Sequence, residues 1–294
     1  MRQKAAIVYM TRSTSRDLHD LQLSLQSLDI YFNDRFQYPV IVFHEDLTPE
    51  MQRGLESVTR SRLSFVKLEF EFPAHLKPQE IPERILGRFN LGYRHMCRFF
   101  AGQIFLHPAL REYDWYWRLD TDSFLRGRVS YDVFDHMTTN DYWYGYIAML
   151  TERPEVVTGL WDAVQTYRRR HKLIAPLLQK LEGQEEGGWN LHYYYNNFEI
   201  CRLAFGRSQA YLDFFRYIDD LGGIYKHRWG DAPIRTLAVA LLVPPEKVHQ
   251  FAAIPYSHNG YYTHRRHELW DRVKYYAGKT RAKLLTRRTH ATHL

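Results

Sequence analysis

The alternation of strand-like and helix-like segments over the first 70 residues most restricts the fold of this chain. Apolar runs typical of buried strands occur at residues 5–10, 39–43 and 63–70. Leucines at helical spacing follow the first run at 18–28, and the Thr-Pro pair at 48–49 is typical of a helix start. Strands that alternate with helices usually pair in parallel, so the pattern predicts a doubly wound α/β sheet.

An aromatic run that ends in two carboxylates is the first candidate site. Residues 115–119 are predicted to form a buried strand, and Asp120 and Asp122 follow it. On an extended backbone, residues i and i+2 point to one side, at the sheet edge where α/β folds bind ligands. Mg²⁺ or Mn²⁺ commonly shares such carboxylates with substrate phosphates. A solvated turn explains the same spacing, so both interpretations stay open.

Two further carboxylates lie in apolar surroundings. Glu199 is flanked by Phe198 and Ile200, which predicts a partly buried, hydrogen-bonded carboxylate with either a structural or a catalytic role. Asp231 precedes Pro233 at the start of an apolar helix, where an N-cap role alone would explain it.

Three loop features are open to two interpretations each. Arg12, in the first βα turn, could contact a phosphate or a nucleotide base, or could be a surface arginine. His258 would be a metal ligand only if the fold brings it to the Asp-x-Asp motif at 120–122. The glycine-rich, acidic segment 181–190 could be a lid or a surface loop.

The net charge of +7 is concentrated near the C-terminus, because residues 265–288 carry nine Lys and Arg against two acidic residues. We therefore predict one globular domain over 1–264 and a basic helical tail over 265–294. The tail could contact an anionic membrane surface or be a solvated end. The chain does not resemble a nucleic-acid-binding module, so no nucleic-acid partner is expected.

Cysteine content and hydropathy bear on the compartment. Cys97 and Cys201 are too few for a disulfide framework, and no apolar run has the length of a membrane span. The apolar stretch 5–10 is too short for a secretory signal. These features predict two free, buried thiols and a cytoplasmic protein, with the Golgi lumen as the alternative if an anchor lies outside this sequence.

Five separated blocks, in this order, resemble the fungal α-1,2-mannosyltransferases of glycosyltransferase family 15: 92–100, 117–122, 197–200, 222–233 and 256–258. The resemblance implies an α/β protein with the GT-A fold, a single Rossmann-like mixed sheet flanked by helices. It implies a retaining enzyme that transfers mannose from GDP-mannose to a mannose-containing glycan acceptor, with an α-1,2 linkage and Mn²⁺ (or Mg²⁺) as cofactor.

The resemblance also assigns roles to individual positions. They are the metal ligands Asp120, Asp122 and His258, the catalytic carboxylates Glu199 and Asp231, and the donor contacts Arg12, Tyr93, Asp120 and Asp122. The motif at 120–122 reads Asp-Thr-Asp, where the family usually has Glu first and Pro in the middle. Two alternatives remain: transfer from another nucleotide sugar such as a UDP-hexose, and a non-catalytic carbohydrate-binding protein with the same fold.

Overall fold

The structure is a computed structural model that describes residues 2–183 and 187–264. The described residues form twelve strands in three sheets. The strands are β1 (Ala5–Thr11), β2 (Val40–His44), β3 (Leu63–Lys67), β4 (Trp115–Leu119), β5 (Ser123–Leu125), β6 (Tyr144–Tyr146), β7 (Met149–Thr151), β8 (His192–Tyr194), β9 (Phe198–Arg202), β10 (Val248–Gln250), β11 (Tyr256–His258) and β12 (Tyr261–Tyr262).

Eleven α-helices connect these strands within the described residues. They are α1 (Ser15–Leu28), α2 (Asp34–Phe36), α3 (Pro49–Glu56), α4 (Leu91–Ala101), α5 (Val133–Thr139), α6 (Leu160–Arg170), α7 (Pro176–Gln179), α8 (Leu203–Gly206), α9 (Gln209–Asp220), α10 (Gly223–His227) and α11 (Asp231–Leu242). The predicted Thr48 cap of α3 is confirmed, because its side chain accepts a hydrogen bond from the Met51 N–H.

The central sheet has seven strands in the order β10-β6-β9-β4-β1-β2-β3. Strands β1 to β4 pair in parallel, as the alternation predicts. Strand β9 runs antiparallel to both β4 and β6, so the complete sheet is mixed. The mixed sheet agrees with the Rossmann-like sheet that the family resemblance implies.

Strand β4 supplies side chains to the hydrophobic cores on both faces of the sheet. Trp115 and Trp117 pack with buried residues of α1, whereas Tyr116 packs with buried residues of α4 and α11. All five residues of β4 are buried, which explains why its sequence is almost continuously aromatic and apolar. The one charged residue, Arg118, therefore needs buried partners.

Two segments discussed in the sequence analysis lie wholly or partly outside the described residues. The basic tail 265–294 lies outside them, as do residues 184–186 of the segment 181–190, for which a lid and a surface loop were both considered. Beside the gap, the Trp161 indole donates a hydrogen bond of 2.6 Å to the Gly187 carbonyl. Cys97 and Cys201 are both buried and unpaired, which confirms the prediction of two free thiols. Within the described ranges, no helix has both the length and the apolar character to cross a membrane.

Replacement of Gly206 by Ala is expected to lower the free energy of unfolding by about 1–3 kcal/mol, the usual effect of overpacking. A Cβ at this position would lie 2.0 Å from the Phe105 ring, which is 1% exposed and has no room to move. Chemical denaturation would measure the change. Gly54→Ala in α3 is the matched control, because its Cβ would meet nothing within 4 Å, and we expect it to be neutral or stabilising. Equal effects of the two variants would contradict the packing argument.

Candidate active site

A cavity of about 430 Å³ opens at the carboxyl ends of β1, β2 and β4. Its lining comes from the ends of β1 and β2 with the residues that follow them, the segment after β3, one face of α4 and the turn 120–122. Parallel strands end at the same edge of a sheet, so polar side chains that follow each strand meet there. Four of the predicted site residues line the cavity, namely Arg12, Tyr93, Asp120 and Asp122.

The Asp-x-Asp motif forms a turn and not the extended segment that its spacing suggests. Strand β4 ends at Leu119 and β5 begins at Ser123. The Asp120 N–H donates to Ser123 Oγ at 3.1 Å, and the Ser123 N–H donates to the Asp120 carbonyl at 3.0 Å. This turn, and not the pleat of a strand, sets the directions of the Asp120 and Asp122 carboxylates.

Strand pairing brings His258 to the motif. Strand β5 pairs antiparallel with β11, with Ser123 opposite His258. His258 Nδ1 consequently lies 3.0 Å from Asp122 Oδ1. Burial opposes the charged form of each group, but their mutual attraction outweighs it, so the pKa of Asp122 is lowered and the pKa of His258 is raised.

This contact fits two ligands of one divalent cation. His258 Nδ1 is buried, and its geometry makes no hydrogen bond to any described residue. Adjacent ligands around an octahedral ion, each about 2.1 Å from the metal, lie about 3 Å apart. Carboxylates suit Mn²⁺, and imidazole is the commonest neutral metal ligand. No three His, Cys, Asp or Glu side chains in 2–183 and 187–264 are grouped to hold a metal, so Asp120 does not complete a preformed cluster.

Arg118 connects Asp120 to Asp231. Its Nε donates to Asp120 Oδ1 at 3.0 Å, and its Nη1 donates to Asp231 Oδ2. Asn196 Nδ2 donates to the same Asp231 oxygen at 2.8 Å. Burial opposes ionisation of Asp231, but the Arg118 guanidinium outweighs it and lowers the pKa of the carboxyl. The N-cap explanation of Asp231 is wrong, because Gly230 occupies that position and no side chain caps α11.

Glu199 lies in the central sheet, 1% exposed, and does not line the cavity. Its carboxylate accepts hydrogen bonds from the Tyr116 hydroxyl, the Tyr144 hydroxyl at 3.0 Å and Arg235 Nε at 3.1 Å. Arg235 is also 1% exposed. The carboxylate is therefore fully buried, where the sequence predicted partial burial, and a single buried guanidinium balances its charge.

Arg12 follows β1, the strand beside β4, and borders the cavity. Its side chain is 67% exposed, and its Nε donates to Asp17 Oδ2 at 2.7 Å. Asp17 also lines the cavity. Arg12 is thus a surface arginine that also borders the cavity.

The sequence did not reveal a buried ion pair beside Tyr93. Arg228 Nη2 donates to the Tyr93 hydroxyl at 2.6 Å, and Arg228 Nη1 donates to Glu152 Oε2 at 2.7 Å. The side chains of Arg228 and Glu152 are each 12% exposed. No local pattern joins residues so distant in sequence. The role of Arg118 was detectable, because a charged residue inside a buried strand must have partners.

Comparison with protein families identifies relatives of known activity. The model of the family described as "Glycolipid 2-alpha-mannosyltransferase" matches residues 1–289. "Alpha-1,2 mannosyltransferase KTR1" of Saccharomyces cerevisiae is 33% identical over 272 residues, which cover 87% of this chain and 69% of that protein. "Glycolipid 2-alpha-mannosyltransferase 2" of Candida albicans is 30% identical, over 88% of this chain and 59% of that protein. The chain thus spans under two thirds of the length of some relatives.

Solved structures support the same relationship. Core-mannan synthase A (CmsA/Ktr4) of Aspergillus fumigatus, in its Mn/GDP form, superposes with a TM-score of 0.84 at 27% identity, covering 89% of this chain and 76% of that one. The mannosyltransferase Ktr4p of Saccharomyces cerevisiae in complex with GDP gives a TM-score of 0.83 at 28% identity, covering 89% and 72%. These neighbours confirm the predicted GT-A fold.

The predicted cytoplasmic location is wrong. The matched relatives are fungal glycolipid and O-glycoside mannosyltransferases, which belong to the lumenal glycosylation machinery of the Golgi. The prediction relied on two unpaired cysteines and a short first apolar run. Both features are explained by the fold, because the run is the central strand β1 and the thiols are buried, so neither one reports the compartment.

Proposed function

The chain belongs to the glycolipid 2-alpha-mannosyltransferase family, and we propose that it transfers mannose from GDP-mannose to a mannose-containing glycan acceptor with an α-1,2 linkage. It is a glycosyltransferase with the GT-A fold. The observation that carries the proposal is the pair of Asp122 and His258, held at metal-ligand spacing beside the cavity where β1, β2 and β4 end.

Asp122 and His258 would hold the Mn²⁺ ion. Asp120 would add a carboxylate oxygen, because Arg118 engages only Oδ1 and no described residue donates to Oδ2. A bound Mn²⁺ supplies positive charge to the diphosphate as it leaves the sugar. Tyr93, fixed by Arg228, and Arg12 would contact the donor along the cavity wall. On this basis we assign five residues to donor and metal binding: Arg12, Tyr93, Asp120, Asp122 and His258.

Retention of configuration is part of the proposal. We assign Asp231 and Glu199 to stabilising the positive charge that develops on the sugar ring, as in other glycosyl transfers. Both oxygens of Glu199 are engaged by tyrosine and arginine donors, which favours an electrostatic role over nucleophilic attack. The acceptor hydroxyl would then attack from the face that the diphosphate leaves, and a diphosphate oxygen would take its proton.

Turnover of a panel of donors tests the proposal. The purified protein would receive GDP-mannose, UDP-glucose or UDP-galactose with a mannoside acceptor, with and without Mn²⁺. We expect GDP release that requires both metal and acceptor, and a product whose anomeric NMR signal is α. UDP release would instead support transfer from a UDP-hexose. Nucleotide binding without turnover of any donor would support a non-catalytic carbohydrate-binding role, and a β product would contradict retention.

A further inference from the structure

A further carboxylate, Glu45, lines the cavity at a distance from the Asp-x-Asp turn. Strands β1 and β2 are parallel neighbours with Thr11 opposite His44, so the next residues, Arg12 and Glu45, lie side by side at the sheet edge. Strand β4 lies on the other side of β1. Glu45 and Asp120 are therefore separated by two strand spacings, about 10 Å. Both line the same cavity.

Because of this separation, the Asp120 end and the Glu45 end of the cavity would contact different parts of a bound nucleoside diphosphate. The diphosphate belongs near Asp120 and Asp122, where the metal would bind. The base then extends past the end of β1 towards β2, because ligands of open α/β sheets lie across the strand ends. Glu45 is thus placed where a base edge would arrive, on the premise that the proposed function is correct.

Glu45 is the available carboxylate at this end. Asp17 is engaged by Arg12, and Asp46 accepts hydrogen bonds from the Ser13 N–H and hydroxyl at 3.2 and 2.6 Å. Within residues 2–183 and 187–264, no group donates a hydrogen bond to the Glu45 carboxylate, which is exposed and within reach of a ligand in the cavity. Desolvation in the cavity and the neighbouring Asp46 raise the pKa of Glu45, and the Arg12 guanidinium opposes this shift.

The chemistry of a free carboxylate selects one base. Guanine presents two adjacent donors, N1–H and the 2-amino group, which match the two oxygens of a carboxylate. Uracil presents a single N–H between two carbonyl oxygens, and these oxygens repel the oxygens of a carboxylate. We propose that Glu45 is the guanine-reading residue of this chain and accepts hydrogen bonds from N1–H and the 2-amino group of the donor nucleotide.

Binding of GDP and IDP, measured by calorimetry with Mn²⁺ present, tests this assignment without any turnover. IDP keeps N1–H and lacks only the 2-amino group. We expect the native protein to bind GDP about 10- to 100-fold more tightly than IDP, the usual effect of a hydrogen bond to a charged group. Glu45→Gln should bring the GDP/IDP ratio close to 1, and Glu45→Ala should do the same.

Asp17→Asn is the matched comparison, because Asp17 is the other carboxylate at this end of the cavity. We expect it to leave the GDP/IDP ratio unchanged. An unchanged ratio in both Glu45 variants would overturn the proposal, as would a ratio that collapses only in Asp17→Asn. Turnover of GDP-mannose by the native protein tests the proposed function separately. If the proposed function is wrong, the native protein would release UDP or show no turnover.

Discussion

Replacement of Asp122 by Asn is expected to lower Mn²⁺-dependent mannosyl transfer by about 10²- to 10³-fold, the usual effect of removing one group that stabilises developing charge. The substitution keeps the size of the side chain but removes the charge that faces His258 Nδ1 at 3.0 Å. Weaker Mn²⁺ binding should accompany the loss, because only carboxylate oxygens offer the cation a full negative charge. Turnover at increasing Mn²⁺ and the free Mn²⁺ signal in electron paramagnetic resonance measure the two effects separately.

Asp120→Asn is the matched variant for this prediction. Asp120 also faces the cavity but is engaged by Arg118, so its loss should weaken Mn²⁺ binding less than Asp122→Asn does. Equal losses of metal affinity would contradict the smaller contribution expected of Asp120. Unchanged Mn²⁺ dependence in Asp122→Asn would contradict the assignment of the metal site.

The parts of the site that lie at strand ends could be predicted from the sequence. The parts that depend on which strands pair could not. The alternation over β1 to β3 and the aromatic run of β4 predicted the sheet edge and the place of Asp120 and Asp122. The approach of His258 depends on the antiparallel register of β5 and β11, two strands of three residues each. Such short strands carry little periodic signal, so only the family resemblance pointed to His258.

Buried charges were the other feature that the sequence described poorly. Arg235 lies within α11, where the apolar pattern indicates burial but does not reveal its partner on β9. Local patterns predict which segments are buried, whereas ion pairs between distant segments follow from the completed packing.

Replacement of Arg235 by Met is expected to lower the free energy of unfolding by about 3–5 kcal/mol, the usual cost of breaking a buried ion pair by removing one partner. Arg235 and Glu199 are each 1% exposed, so the variant would leave the Glu199 carboxylate without a cation. The guanidinium also donates to the Tyr211 hydroxyl and, at 2.6 Å, to the Phe100 carbonyl, and these acceptors would lose their donor. Urea denaturation measures the change.

The double variant Glu199→Gln/Arg235→Met separates the structural role of Glu199 from its proposed catalytic role. Because it removes both buried charges, it should recover part of the stability lost in Arg235→Met. A folded double variant without turnover would support a catalytic role, since its charge is missing while the sheet is intact. A folded double variant with native turnover would limit Glu199 to balancing Arg235. If Arg235→Met lowers the free energy of unfolding by less than about 1 kcal/mol, the Arg235–Glu199 ion pair contributes no more to stability than an exposed ion pair does.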